Sequence, residues 1–244
     1  MRSATASSPA SLLRRLRVAF RAAGDPLVAA GAQAYLKSAM PHHGVKAAPF
    51  RAICRAEFAG VALPDRATWQ AHVLHLWQHA RYREERYAAI ELTGVKAARG
   101  FQDMTALPLY ERLIVEGAWW DVVDGIASHR LGTLLRHEPV AMRRAMLAWA
   151  RCDDIWKRRS AIICQLTFKD EVDLDLLYRC IEPSIASREF FLRKGIGWAL
   201  RQVAWRQPDE IVRYVTEHRD RLSGLSKREA LKNVLRSGRV SAIP

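Results

Sequence analysis

Apolar residues recur at three- and four-residue spacing along almost the whole chain, and no stretch alternates apolar with polar over a strand's length. The pattern predicts an all-α protein. Pro26, Pro64, Pro139 and Pro208 each have an adjacent Asp or Glu, which suits the first turn of a helix. Breaks fall near Gly24, Pro41 to Gly44, Gly60 to Pro64, Gly100, Glu138, Asp170, Pro183 and Gln207. They leave roughly a dozen helices joined by short loops, so neighbours should pack antiparallel. At the start, Leu12, Leu13, Leu16, Val18 and Phe20 read as an amphipathic helix, preceded by a poorly ordered basic extension over residues 1–11. Residues 1–24 also lack acids and carry Arg2, Arg14, Arg15, Arg17 and Arg21, the composition of an organellar transit peptide, which stands as the alternative.

Basic-small segments recur at Arg86, Arg159, Lys194 and Arg228, and with Val123 placed in the series the steps are 37, 36, 35 and 34 residues. Helix pairs repeating at that length predict an α-solenoid of the HEAT, armadillo or tetratricopeptide kind.

Three helices carry candidate chemistry. In Trp119 to Ile126, the side chains of Trp119, Val122, Val123 and Ile126 share one core-facing arc, while Trp120 and Asp124, four apart, lie together off it. Asp124 is either the partner of an Arg on the next helix or a carboxylate presented beside an aromatic ring. Asp121 suits the helix dipole. In Ile155 to Ile162, Arg159 falls among apolar positions and needs a partner, a carboxylate or a phosphate; Lys157 and Arg158 read as solvated charges. In Phe190 to Arg206, Leu192, Ile196, Leu200 and Val203 form one face. Phe190, Phe191, Lys194, Trp198, Arg201 and Trp205 form the other, a stacking and phosphate-binding surface in which Trp205 is the residue expected to be core. Gly195 and Gly197, costly inside a helix, predict close approach of another backbone.

Composition narrows the class. Among 244 residues, 50% are apolar and 26% charged, which excludes a disordered or collagen-like chain. A net charge of +14 favours a polyanionic partner, nucleic acid or an anionic membrane surface. Cys54, Cys152, Cys164 and Cys180 show no zinc or disulfide spacing and predict a reducing compartment, with no metal. The longest charge-free stretch, Ala67 to Ala80, is 14 residues with three His and two Gln, too short and polar to span a bilayer.

With Tyr35-Leu36-Lys37, Gly44-Val45-Lys46 and Leu225 to Ala230, these segments resemble the AlkD-like DNA alkylation repair family from about residue 12 to 235. The most specific piece is WWDxVD followed by IWxxR and GIGW. The resemblance implies a single HEAT-like superhelical domain over 1–244 whose basic concave face holds duplex DNA. It also implies a cofactor-free, monomeric DNA glycosylase excising cationic N3- or N7-alkylated purines. Carried over by position, the catalytic aspartate is Asp124, the cleft tryptophans Trp120 and Trp198, the phosphate-contacting arginine Arg159 and a cleft aromatic Tyr35. Lys194, Arg201, Lys227 and Arg228 are the cations expected to meet DNA. A bacterial cytoplasmic protein, nucleoid-associated through DNA, follows. Two rivals use the same basic face: a non-catalytic HEAT-like binder of damaged or branched DNA, and a protein-interaction scaffold docking an acidic peptide.

Overall fold

A computed structural model describes residues 8–240 and 242–243, and among these there is no strand. Residues 1–7, the start of the stretch 1–24 read as transit-peptide-like and most of the basic extension over 1–11, lie outside the described residues. Residues 9–11 are already helical, because Ser8 caps the first helix and Pro9 opens it.

The fold divides into two compact units, one ending at Gln102 and the other beginning at Asp103. The first contains α1 (Pro9–Ala23), α2 (Pro26–Leu36), α3 (Ala47–Phe58), α4 (Arg66–Gln78), α5 (Arg83–Thr93) and a 3₁₀ segment, Lys96–Phe101. α1 packs on α3, α4 and α5, burying Leu12, Leu13, Leu16 and Phe20. Val18, placed on that stripe by the sequence, is 66% exposed on the other side of the helix. Pro64 precedes its helix rather than opening it, since Asp65 caps α4 through the Thr68 N–H.

Two acids at the start of α5 hold the first unit together. Glu84 accepts from the backbone N–H groups of His43, Gly44 and Val45, fixing the loop between α2 and α3. Gly44 itself, at φ +82° with the Asp25 carbonyl 2.0 Å from where a Cβ would stand, is a position only glycine fits. Glu85, with no exposed side-chain surface, accepts from Arg17, His43 and the Arg81 N–H. Burial opposes its charge, but those hydrogen bonds and the Arg17 charge outweigh burial and hold the carboxyl at about 2.

The second unit contains α6 (Leu107–Gly117), α7 (Trp120–Gly125), a π-helical segment Ile126–Leu131, α8 (Gly132–His137), α9 (Pro139–Trp149), α10 (Ile155–Ile163), α11 (Leu174–Ile181), α12 (Phe190–Ala204), α13 (Pro208–Glu217) and α14 (Gly224–Arg236). The sequence repeat becomes packing here: α7 lies on α10, α10 on α12 and α12 on α14, the last being the most extensive helix pair. The predicted apolar face of α12, Leu192, Ile196, Leu200 and Val203, is buried. Trp205 is not core. It stands just past the last turn and is 58% exposed, because Leu200 and Val203 already fill the helix's inner face.

Glu85 sets a pH dependence. A carboxyl held at about 2 in the folded state against an ordinary 4.5 contributes about 3 kcal/mol above pH 4.5 and loses it as pH falls toward 2. Glu85→Gln should therefore lower stability to urea by about 3 kcal/mol at neutral pH, and the wild type should lose that advantage progressively below pH 4.5. Parallel stability curves for the two proteins would contradict this.

Candidate functional site

The site grows from a strained turn. α6 ends on Ala118, whose φ of +36° is the left-handed conformation, and the extended Trp119 then starts α7. A non-glycine residue held in that conformation costs on the order of 1 kcal/mol and is concentrated at functional sites. α7 runs for six residues before the chain widens into the π turn from Ile126, another feature common at such sites. Val122, Val123 and Ile126 are fully buried, as their arc predicts, and Trp120, half-buried, and Asp124, mostly buried, lie on the side left over. Trp119 does not join the core stripe. It packs half-buried on Trp156 and Phe191, with ring centroids 6.0 and 5.2 Å away.

Asp124 and Arg159 find each other. Nε and Nη2 of Arg159 donate to Oδ1 and Oδ2 of Asp124, both at 2.7 Å, and Nη1 donates to the Phe191 carbonyl at 2.5 Å. Only 5% of the arginine side chain and 15% of the aspartate are exposed. Arg159 thus takes a carboxylate as its partner, and Asp124 takes an arginine of α10 while it stays on the same side of α7 as Trp120. Three of the five N–H groups of Arg159 face protein oxygens. α10 is set for this by Asp154, which caps it through the Trp156 and Lys157 N–H groups. α12 is set by Gly195, where a Cβ would stand 3.1 Å from Arg159 Nη1. The close approach predicted at Gly195 is thus made by a side chain.

Burial pushes the Asp124 carboxyl above its ordinary value, the Arg159 hydrogen bonds and charge pull it back, and Asp121 adds a smaller upward push; the net direction is up.

Several other cations that the sequence singles out have partners within the protein. Lys194 and Arg201 both bond Glu229, a residue the sequence reading passed over. Lys157 pairs with Glu111 and Arg158 bonds Ser184 and the Pro183 carbonyl, so neither is the solvated charge expected. Each lies on the side of α10 turned to a neighbouring segment. Lys227 donates to the Arg219 carbonyl, and Arg228 is exposed. Trp198 is half-exposed between Lys194 and Arg201 on α12. Tyr35 lies on α2 of the first unit, 75% exposed. Among the described residues no group of three or more His, Cys, Asp or Glu side chains is arranged to hold a metal, and no helix is long and apolar enough to cross a membrane.

The Asp124–Arg159 pair generates a stability prediction. Arg159→Met leaves a buried carboxylate without its counter-ion and should cost on the order of 3–5 kcal/mol. Adding Asp124→Asn should return about 2 kcal/mol of that, a coupling read by urea denaturation of the four proteins in the cycle. Additive losses would mean that the pair is not energetically joined.

The family model described as DNA alkylation repair enzyme matches residues 16–234. No curated protein matches the chain. Among solved structures, the chain is similar to one titled "Predicted DNA alkylation repair enzyme from Enterococcus faecalis", with 24% identity and a TM-score of 0.77 over 86% of this chain and 95% of that one. That likeness bears on the helical fold alone, whereas the family match spans the three segments that carry the candidate residues. The chain belongs to the DNA alkylation repair enzyme family.

Proposed function

We propose that the protein is a DNA glycosylase that hydrolyses the N-glycosidic bond of purines carrying a positive charge from N3 or N7 alkylation. The observation that carries this reading is a single carboxylate, Asp124, buried and oriented by Arg159, with Trp120 one turn away on the same helix.

An alkylated purine cation departs as a neutral base and needs little protonation. The sugar is the centre that needs help, because C1′ gains oxocarbenium character as the bond lengthens. A carboxylate about 4 Å from that centre contributes about 4 kcal/mol at an effective dielectric near 20. A guanidinium behind it, about 8 Å from the same centre, takes back about 2 kcal/mol. The remainder is worth about thirtyfold in rate. Arg159 therefore serves this chemistry by geometry: it holds both carboxylate oxygens in one plane, so that Asp124 can also orient the attacking water with little reorganisation. Trp120 and Trp198, half-exposed, supply ring faces that attract a cation and exclude bulk water from the sugar. Duplex DNA is the partner the family implies, and a net +14 supplies the attraction.

The test is release of free 7-methylguanine from methylated duplex in single turnover without added metal or cofactor. Asp124→Asn should slow release about a thousandfold in protein that remains folded, since the carboxylate's attraction is lost while the guanidinium's opposing charge stays, and Asp121→Asn should be far milder. Hypoxanthine and uracil, whose departure needs a proton donor, should not be released. Equal damage from the two substitutions, or comparable rates for hypoxanthine and 7-methylguanine, would refute the assignment of Asp124 to the sugar cation.

A further inference from the structure

Lys194, Trp198 and Arg201 share one face of α12, and the two cations on it are tied to a single acid from α14. Lys194 Nζ donates to Glu229 Oε1 and Arg201 Nη1 to Oε2, each at 2.7 Å. Gly197 makes this possible. It lies three residues after Lys194 and four before Arg201, and a Cβ there would stand 2.5 Å from the Glu229 Cβ and 2.8 Å from the Ser226 carbonyl oxygen. With hydrogen in that place, α14 settles against α12 and the Glu229 stem rests on Gly197. Its two oxygens then reach one turn in each direction. Ser226 Oγ donates to the Arg193 carbonyl at 3.0 Å and holds the register of the two helices. The Lys194 hydrogen bond lowers the Glu229 carboxyl despite partial burial, and the Lys194, Arg201 and Lys232 charges add to that, so the group is ionised at neutral pH.

To two cations at this spacing, a carboxylate with one oxygen on each presents what a backbone phosphate presents: one negative charge shared by two acceptors. We infer that Glu229 is a built-in substitute for a DNA phosphate, occupying Lys194 and Arg201 so that neither adds to binding of undamaged duplex. Non-specific affinity grows with the number of phosphates neutralised, so withholding two cations lets a chain of +14 leave undamaged DNA more readily. The inference rests on the reading that this face of α12 meets DNA.

The experiment is binding of wild type and Glu229→Gln to an undamaged fluorescent duplex from 50 to 200 mM salt. The variant should bind more tightly at 50 mM, and its slope of log K against log salt should be steeper by about 1.8, so its advantage shrinks about tenfold across the range. Lys194→Met, a change at a side chain 40% exposed, gives an independent arm. It should leave the wild-type slope almost unchanged and flatten the Glu229→Gln slope by about 0.9. Identical slopes for wild type and Glu229→Gln, or a loss of about 0.9 already when Lys194→Met is made in the wild type, would overturn the inference while leaving DNA binding intact. Absence of any salt-dependent binding by the wild type would overturn the DNA-facing reading and this inference with it.

Discussion

Two opposite charges taken out of water together are the constraint around which the second unit is arranged. Desolvating a carboxylate and a guanidinium costs several kcal/mol each, and only good geometry with every remaining donor answered recovers it. Asp124 and Arg159 meet that demand with two 2.7 Å bonds, a third donor on the Phe191 carbonyl, and a glycine at 195 that leaves room for the guanidinium. Three helices must therefore stand at fixed distances before the pair can form. The same contacts that make the pair affordable leave the Asp124 carboxylate oriented beside a half-exposed tryptophan.

The repeat distributes this arrangement along the unit. Asp124 and Arg159 are 35 residues apart, as are Lys194 and Glu229. Arg136 and Glu171 are also 35 apart and meet at the surface at 3.2 Å. A step of one repeat carries a residue to the equivalent place on the next helix, so an acid and a base separated by that step face each other whenever both lie on the shared side. Burial then decides what each pair does. The surface pair contributes little, whereas the enclosed pair orients its members and ties the helices together.

Much of this was legible in the sequence, because helix starts, apolar faces and the repeat step depend on local spacing. Trp120 and Asp124 stood off the core stripe, and Arg159 stood out as a cation among apolar neighbours. That the last two are partners, and that Lys194 meets Glu229, emerged only from the packing, although both pairs span 35 residues. The rest depends on packing that spacing does not contain. Glu84 and Glu85 look like ordinary dipole-complementing acids at a helix start, yet one caps a loop about forty residues away and the other is fully buried. The π turn after Asp124 has no compositional mark, and Trp205 has the aromatic character of a core residue but stands one step beyond its helix.

The central claim is that the ionised Asp124 carboxylate promotes departure of a cationic base. Its most direct test compares two titrations of one group: the single-turnover rate of 7-methylguanine release as a function of pH, and the Asp124 carboxyl carbon followed by NMR in the folded protein. The account predicts that both curves share a midpoint, displaced above the ordinary 3.8 as burial requires, with the rate falling on the acid side. A rate that stays level while the Asp124 carboxyl takes up its proton would contradict it.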